Sequence, residues 1–195
     1  MPLDEKSLVK RSKYLARHLR HQPEALGLTL EPGGWVAVDA LLAAMARHGV
    51  AISRADLEEI VARNNKQRFA FDETGQRIRA SQGHSVLVDL QLTPLSPPEA
   101  LYHGTSQATV AVILRDGLHK MRRQHVHLTA EIATAANVGS RHGAPAVLLA
   151  DAAAMAGDGY QFYRSENGVW LTESVPPRYL RLLASDEWPD TAAAS

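Results

Sequence analysis

The residues best suited to chemistry in this chain are arginines and histidines. Three separate segments hold them: Leu19-Arg20-His21, Asn65-Lys66-Gln67-Arg68-Phe69 and Arg123-Gln124-His125-Val126-His127. A guanidinium stays charged at physiological pH and binds phosphate through two parallel hydrogen bonds, whereas an imidazole gains or loses a proton near neutrality. If the three segments meet in the fold, they could bind one anionic ligand.

A shorter motif, His103-Gly104-Thr105, lies between an apolar run and a helical pattern. We expect it at the end of a strand, where a glycine lets a ligand approach the backbone and a helix N-terminus favours a phosphate. A plain strand-to-helix turn would contain the same residue types, so the motif by itself is a weak signal.

The charge of the chain is balanced overall but not locally. The 195 residues include 21 Lys and Arg and 21 Asp and Glu, and this balance argues against broad coating of nucleic acid. Residues 1–23 nevertheless hold six Lys and Arg against two acids, residues 63–84 five against two, and residues 115–127 four against one. Solvated helix faces would explain any one of these clusters taken alone.

Several classes of protein lack their characteristic sequence features here. Cysteine is absent, which excludes disulfides, thiolate zinc sites and thiol catalysis, and there is no GxGxxG, GxxxxGKS/T or GxSxG motif. His125 and His127 would share one face of a strand, but zinc needs a third protein ligand, and we expect no metal. With no signal peptide and no apolar run of about 18 residues, we expect a cytoplasmic protein without a membrane span.

A proline-rich stretch divides the chain, since three of its ten prolines lie between Pro94 and Pro98. We expect a first lobe over residues 1–92, a linker over 93–99, a second lobe over 100–185 and a tail over 186–195. The first lobe has the order of a winged-helix module, three helices followed by a hairpin. Its expected elements are helix Asp4–His21, strand Trp35–Val38, a helix capped by Asp39 and ending at Gly49, a helix capped by Ser53 and ending near Asn64, and hairpin strands Phe69–Phe71 and Arg77–Ala80.

The second lobe alternates short strands and helices, which predicts an α+β fold around a small sheet. Its expected elements are strand Leu101–His103, a helix capped by Ser106 and closing at Gly117, strand Val126–Leu128, a helix capped by Thr129, and strands Ala146–Leu149 and Val169–Leu171.

Seven segments, in order along the chain, resemble the KptA/Tpt1 family of NAD-dependent RNA 2′-phosphotransferases. They are SKYLARHLRH, GWVAVDALL, NNKQRF, IRASQGHS, LYHGT, RRQHVHLT and NGVWLTESVPP. The resemblance covers about residues 8–184. Each segment alone is a weak signal, whereas seven colinear segments are highly specific.

The resemblance implies a winged-helix lobe that binds RNA and an ADP-ribosyltransferase-like α+β lobe that binds NAD⁺ as a co-substrate. It also implies removal of an internal RNA 2′-phosphate, as left at tRNA splice junctions. The 2′-phosphate attacks C1″ of the nicotinamide ribose, nicotinamide leaves, and O2″ then attacks the phosphate. The products would be 2′-OH RNA and ADP-ribose 1″,2″-cyclic phosphate, and no metal is required because arginines stabilise the charge.

The family's functional residues carry over position by position. Its essential Arg-His-Arg-Arg set corresponds to Arg20, His21, Arg68 and Arg123. Its NAD⁺-binding residues correspond to His103, Gly104, Thr105, His127, Leu128 and Thr129. Contacts to RNA backbone phosphates are expected from Lys10, Lys13, Arg17 and Lys66, although a solvated stripe would have the same pattern. The family lacks the catalytic glutamate of protein-modifying ADP-ribosyltransferases, so Glu173 is not assigned that role.

Two other functions stay open at this point. An ADP-ribosyltransferase that caps terminal phosphates of RNA or DNA would use the same residues and stop after the first step. A non-catalytic module that binds nucleic acid would not need the second lobe. His21 could either hydrogen-bond the phosphate or move a proton. We expect a monomer.

Overall fold

The computed structural model describes residues 3–64 and 66–188. The chain forms two compact units, Met1–Leu92 and Thr93–Ser195. Both contain helices and strands, so the predicted mixture of α and β structure is confirmed. Within the described ranges, no helix has the length and apolar character needed to cross a membrane. Asn65 of the predicted site segment and residues 189–195 of the predicted tail lie outside the described residues.

The first unit combines three helices with a three-stranded antiparallel sheet. Its elements are α1 (Glu5–Arg20), β1 (Trp35–Ala37), α2 (Val38–Arg47), α3 (Arg54–Ala62), β2 (Phe69–Phe71) and β3 (Arg77–Ala80). Strand β3 lies between β1 and β2 and pairs antiparallel with both. Buried side chains from all three helices and from the sheet form one core, including Leu15, Leu41, Leu57 and Ile78.

Helix α1 places the basic residues of the first unit. The Asp4 carboxylate accepts a hydrogen bond from the Ser7 backbone N–H at 2.9 Å and caps the helix. Leu15 and Leu19 are fully buried on the core side of the helix. Burial of a leucine contributes about 1.5–3 kcal/mol, so the orientation of α1 is fixed by its apolar face. The exposed basic residues of α1 consequently lie on the solvent side, and they are Lys6, Lys10, Lys13 and Arg17.

The sequence predicted the N-cap residue of α3 correctly but not that of α2. Ser53 caps α3 as predicted, in a capping box with Asp56. The prediction that Asp39 caps α2 is wrong, because Ala37 occupies the N-cap position and Asp39 lies inside the first turn. The Val38 N–H that begins α2 donates to the Gln76 carbonyl at 2.9 Å, so the residue directly before β3 supplies a partner for this N–H in place of a side-chain cap.

The second unit contains three small antiparallel sheets and three helices among its described residues. Its elements are β4 (Ala100–Ser106), α4 (Gln107–Asp116), β5 (Leu118–His119), β6 (Val126–Leu128), α5 (Ile132–Gly139), β7 (Pro145–Asp151), α6 (Ala152–Gly157), β8 (Tyr163–Arg164), β9 (Trp170–Thr172), β10 (Ser174–Val175) and β11 (Leu180–Leu182). The strand orders are β11-β7-β4, β6-β9-β8 and β10-β5. The central strand β7 is buried on both faces, since Leu148 and Val147 belong to separate apolar clusters.

Strand β4 extends through the motif His103-Gly104-Thr105. It pairs with β7 over seven residues, with Gly104 opposite Val147, so the prediction that the strand ends at Gly104 is wrong. A Cβ atom at Gly104 would overlap the carbonyl oxygen of Ala135 in α5. The absence of a side chain at Gly104 therefore permits close packing of helix on strand. The approach of a ligand to this glycine stays a prediction.

Helix α5 begins later than the sequence pattern predicts. Its N-cap residue is Glu131, so the prediction that Thr129 caps this helix is wrong. The N–H and C=O groups of Thr129 pair with those of Tyr102 at 2.9 and 2.8 Å, which holds Thr129 extended. Its hydroxyl accepts a hydrogen bond from the Glu131 N–H in the turn before the helix.

Candidate active site

Arg20 and His21 lie at the C-terminal end of α1, where Arg20 is the last helical residue and His21 is the C-cap. The Ser85 N–H donates to the Arg20 carbonyl at 2.9 Å. The Ser85 hydroxyl lies 2.9 Å from Nδ1 of the exposed His21 ring. The segment after the hairpin therefore binds both residues of this pair.

Arg68 is half-buried in the connection between α3 and β2. Its Nη1 donates to Oδ1 of Asn64 at 3.4 Å, and Nδ2 of Asn64 donates to the Ser12 hydroxyl in α1 at 2.8 Å. The Arg68 carbonyl accepts from the Ser81 N–H at 2.8 Å. Asn64 thus connects Arg68 to α1, while Ser81 holds its backbone.

The segment Ser81–Ser85 connects the two predicted parts of the site in the first unit. Ser81 binds the backbone at Arg68, and Ser85 binds Arg20 and His21. A segment of five residues spans at most about 18 Å when fully extended. The structure therefore brings Arg20, His21 and Arg68 to one region of the first unit, an arrangement that the sequence allowed but could not demonstrate.

An open groove of about 230 Å³ lies between α1 and the connection that carries Arg68. Lys13, Lys66 and Arg68 contribute to its lining, together with Ser12 and Asn64. The remaining predicted RNA contacts, Lys10 and Arg17, are exposed on α1 and are not among the residues that line this groove. Three of the predicted cations thus lie together, while two extend the positive surface along the helix.

His84 was not among the residues predicted from the sequence. Its side chain is fully buried, and neither ring nitrogen has a hydrogen-bond partner among the described residues. Burial lowers the pKa of His84 to about 4, and the positive charges of Arg20, His21 and Arg79 add to this effect. His84 is consequently neutral at pH 7. The one feature of the sequence that pointed to His84 was its position within the segment IRASQGHS, which carries part of the family resemblance.

In the second unit, β4 and β6 bring His103 and His127 together. Nδ1 of His103 lies 3.1 Å from the carbonyl oxygen of His127, so Nδ1 carries a proton and donates. The exposed Arg123 donates from Nη1 to Nδ1 of His127 at 3.0 Å, so this nitrogen accepts. Three predicted site residues therefore form one hydrogen-bonded series.

The electrostatics favour a neutral His103. Burial lowers its pKa, and the Arg123 charge acts in the same direction, while the hydrogen bond to the His127 carbonyl opposes them. Since Nδ1 bears the proton, Nε2 of the neutral ring carries a lone pair. His103 can consequently accept a hydrogen bond from a ligand hydroxyl.

The other predicted cofactor-binding residues are placed differently. The side chain of Leu128 is buried in the core, so any ligand contact there would come from its backbone. Gly104 packs against α5, and the Thr105 hydroxyl lies 2.6 Å from that of Thr109. Thr129 follows β6 directly and is half-buried beside Tyr102.

The histidine pair weighed as a metal site is not on one strand. His125 precedes β6 and its ring lies 5.7 Å from that of Tyr163, while His127 lies within the strand. The described ranges contain no group of three or more His, Asp or Glu side chains that could hold a metal. Glu173 is exposed and forms an ion pair with Lys120 at 2.6 Å.

Most candidate residues of both units are arginines, lysines and histidines on mixed α and β scaffolds, and such side chains are suited to binding phosphate-bearing ligands. The model of the Tpt1/KptA family, RNA 2′-phosphotransferases, matches residues 6–174. The chain belongs to this family, and the family predicted from the sequence is confirmed. Its class is accordingly that of an RNA 2′-phosphotransferase.

Curated relatives resemble the chain over nearly its whole length. The probable RNA 2′-phosphotransferase of Herpetosiphon aurantiacus is 59% identical over 180 residues, which cover 92% of this chain and 99% of the relative. The protein of the same name from Trichormus variabilis is 57% identical over 181 residues, covering 93% and 100%. The one from Streptomyces griseus is 53% identical over 187 residues, covering 92% and 99%.

Proposed function

We propose that this chain removes an internal RNA 2′-phosphate, of the kind found at tRNA splice junctions, by transferring it to NAD⁺. The reaction would pass through 2′-phospho-ADP-ribosylated RNA and yield nicotinamide, ADP-ribose 1″,2″-cyclic phosphate and 2′-OH RNA. The observation that carries the proposal is the family match over residues 6–174, which includes all four residues of the proposed catalytic set.

The first unit is proposed to be a winged-helix lobe that binds RNA. Its element order supports this assignment, because three helices precede a hairpin whose second strand also pairs with the strand between α1 and α2. Backbone phosphates of the RNA would be bound by the exposed cations Lys10, Lys13, Arg17 and Lys66. Such contacts position RNA without reading its sequence.

The proposed catalytic residues stabilise phosphate charge. A phosphate monoester carries about −1.5 to −2 charges near neutral pH and is itself the nucleophile, so the first step needs no general base. In the second step, attack on the phosphate adds charge to its oxygens, which guanidinium groups stabilise. Of the proposed catalytic residues, Arg20, His21 and Arg68 belong to the first unit and Arg123 belongs to the second.

The second unit is proposed to be an ADP-ribosyltransferase-like lobe that binds NAD⁺. A neutral His103 with a lone pair on Nε2 fits a ribose hydroxyl, which must donate to it. Thr105, Thr129 and His127 lie on the same pair of strands or directly after them. When bound, NAD⁺ supplies the electrophilic ribose carbon, and the residues of β4 and β6 would orient it.

The remaining proposals concern organisation. We assign residues 93–99 to a linker and residues 100–185 to the second lobe, since β4 begins at Ala100 and residues 93–98 lie outside any helix or strand. We also propose a cytoplasmic monomer, in keeping with a chain that contains no cysteine.

Product analysis tests the reaction. The protein would be incubated with NAD⁺ and an RNA that bears one internal 2′-phosphate, and the products separated by chromatography. We expect release of nicotinamide, loss of the 2′-phosphate and formation of ADP-ribose cyclic phosphate. An RNA of the same sequence with a 2′-hydroxyl is the control and should give none of these products.

The same assay separates the alternatives. With an RNA that carries a terminal phosphate, a capping ADP-ribosyltransferase would leave a stable ADP-ribosylated end. A non-catalytic module would bind RNA without releasing nicotinamide. Either result, together with an intact internal 2′-phosphate, would overturn the proposed function.

A further inference from the structure

Backbone hydrogen bonds determine the position of Ser85 relative to His21. Its N–H donates to the Arg20 carbonyl at 2.9 Å, and the next residue, Val86, donates to the same carbonyl at 3.4 Å. These are backbone bonds, so they place Ser85 beside the end of α1 independently of its own side chain. The Ser85 hydroxyl is thereby held 2.9 Å from Nδ1 of His21.

The residues on either side make this placement rigid. Ser81 holds the start of the segment through its N–H to the Arg68 carbonyl and its hydroxyl to the Gln67 carbonyl at 2.9 Å. His84, directly before Ser85, is fully buried. A Cβ atom at Gly34 would lie 3.2 Å from the His84 ring, so the ring fills the space above that glycine. The segment is consequently anchored at its start and immediately before Ser85.

The direction of the bond between Ser85 and His21 decides which nitrogen of the ring carries the proton. A hydroxyl that donates to Nδ1 requires the proton of a neutral imidazole to be on Nε2. Nε2–H is then a donor at every pH at which the ring is neutral. An anionic phosphate oxygen accepts hydrogen bonds and cannot donate, so only this tautomer of neutral His21 could bind it through Nε2.

We infer that Ser85 is a positioning residue: its hydroxyl donates to Nδ1 of His21 and keeps the proton of the neutral ring on Nε2, as a donor for the RNA 2′-phosphate. This inference rests on the proposed function for the identity of the phosphate. The hydrogen bond and the tautomer are properties of the protein alone. They are measurable without substrate.

The tautomer of His21 is tested by nuclear magnetic resonance on the full chain with ¹⁵N-labelled histidine. The chain contains nine histidines, and the signals of His21 would be identified by their loss in His21→Gln. At pH 8 we expect the Nε2–H tautomer to predominate in the unaltered protein and a mixture of tautomers in Ser85→Ala. A predominant Nδ1–H tautomer in the unaltered protein, or no change in Ser85→Ala, would overturn the inference.

Activity provides a second measurement. We expect Ser85→Ala to lower kcat roughly tenfold, in keeping with the loss of one orienting hydrogen bond, and Ser85→Thr, which keeps the hydroxyl, to restore most of it. The matched control is Ser140→Ala, since Ser140 is also exposed and its hydroxyl makes one local bond to the Asn137 carbonyl. If the unaltered protein has no activity, the proposed function fails while the tautomer measurement still decides the role of Ser85.

Discussion

Arg68 is held at two points, by Asn64 at its guanidinium and by Ser81 at its backbone. A side chain that is ordered before a ligand binds loses less conformational entropy on binding, and so delivers more of its electrostatic stabilisation. This arrangement suits a residue whose proposed role is to stabilise charge that develops late in a reaction.

We predict that Arg68→Ala slows the second chemical step more than the first. In the proposed reaction the phosphate monoester would attack without a general base, whereas the attack of O2″ would add charge to the phosphate. The 2′-phospho-ADP-ribosylated RNA should therefore accumulate, with the second step slowed about 100-fold or more. Gel analysis of radiolabelled RNA measures both steps.

The control for this variant is Arg47→Ala, an exposed arginine at the end of α2. It should leave both steps unchanged. If Arg68→Ala instead stalls before nicotinamide is released, Arg68 acts mainly in the first step and the assignment is wrong.

His84 makes the stability of the first unit dependent on pH. The pKa of an unfolded histidine is 6.5, and burial lowers that of His84 to about 4, so unfolding takes up a proton between these values. The contribution of the buried neutral His84 to the free energy of unfolding is fully present above pH 6.5 and is lost as pH falls towards 4. By linkage, the free energy of unfolding should decrease by about 2 kcal/mol from pH 7.5 to pH 5 through this residue alone.

Urea unfolding of the unaltered protein and of His84→Phe at both pH values measures this effect. We expect the difference between pH 7.5 and pH 5 to shrink in the variant, whatever its stability at either pH. A remaining dependence in the same direction is expected from His103 and His125, whose pKa values burial also lowers. An identical pH dependence in both proteins would contradict the burial of a neutral His84.

At the scale of elements, the contact of α5 with β4 depends on two glycines. Gly104 faces the backbone of α5 at Ala135, and a Cβ atom at Gly139 would lie 2.5 Å from the Thr105 carbonyl oxygen. Real Cβ atoms are not found that close to backbone atoms, so helix and strand approach each other at positions where neither has a side chain. The predicted NAD⁺-binding motif is therefore also a packing motif.

We predict that Gly104→Ala destabilises the second unit by about 2–4 kcal/mol, because backbone atoms rather than a flexible side chain must move. Thermal and urea unfolding measure the change. Gly157→Ala is the matched control, since Gly157 ends α6 and, among the described residues, no atom lies within 4 Å of a Cβ added there. This variant should be as stable as the unaltered protein or more stable by up to about 1 kcal/mol. Equal stabilities of the two variants would contradict the close packing of α5 on β4.

At the scale of the whole molecule, a net charge of zero coexists with a concentrated positive surface. In the first unit, α1 presents exposed basic side chains and the adjacent groove is lined by Lys13 and Lys66. Because acids elsewhere offset these charges, electrostatic attraction should be local. We therefore expect the protein to contact only a few backbone phosphates when it binds RNA.

Salt dependence measures the number of phosphates. For single-stranded RNA, each phosphate that the protein neutralises contributes about 0.7 to the magnitude of the slope of log K against log salt concentration, where K is the association constant. Lys13→Ala should therefore reduce the magnitude of the slope by about 0.7, as measured by fluorescence anisotropy. Arg47→Ala, on the exposed side of α2, should leave it unchanged, and an unchanged slope for Lys13→Ala would exclude this lysine from the RNA contacts.

The amino-acid sequence by itself determined the family, helix α1 with its apolar face, the hairpin β2–β3 and the residues proposed for catalysis. These follow from local periodicity, turn residues and colinear motifs, which involve neighbours along the chain. Only the tertiary structure decided that Gly104 serves packing, that His84 is buried and neutral, and that Ser85 meets His21. Ser85 and His21 are 64 residues apart, and contacts over such distances depend on how the elements pack rather than on any local pattern.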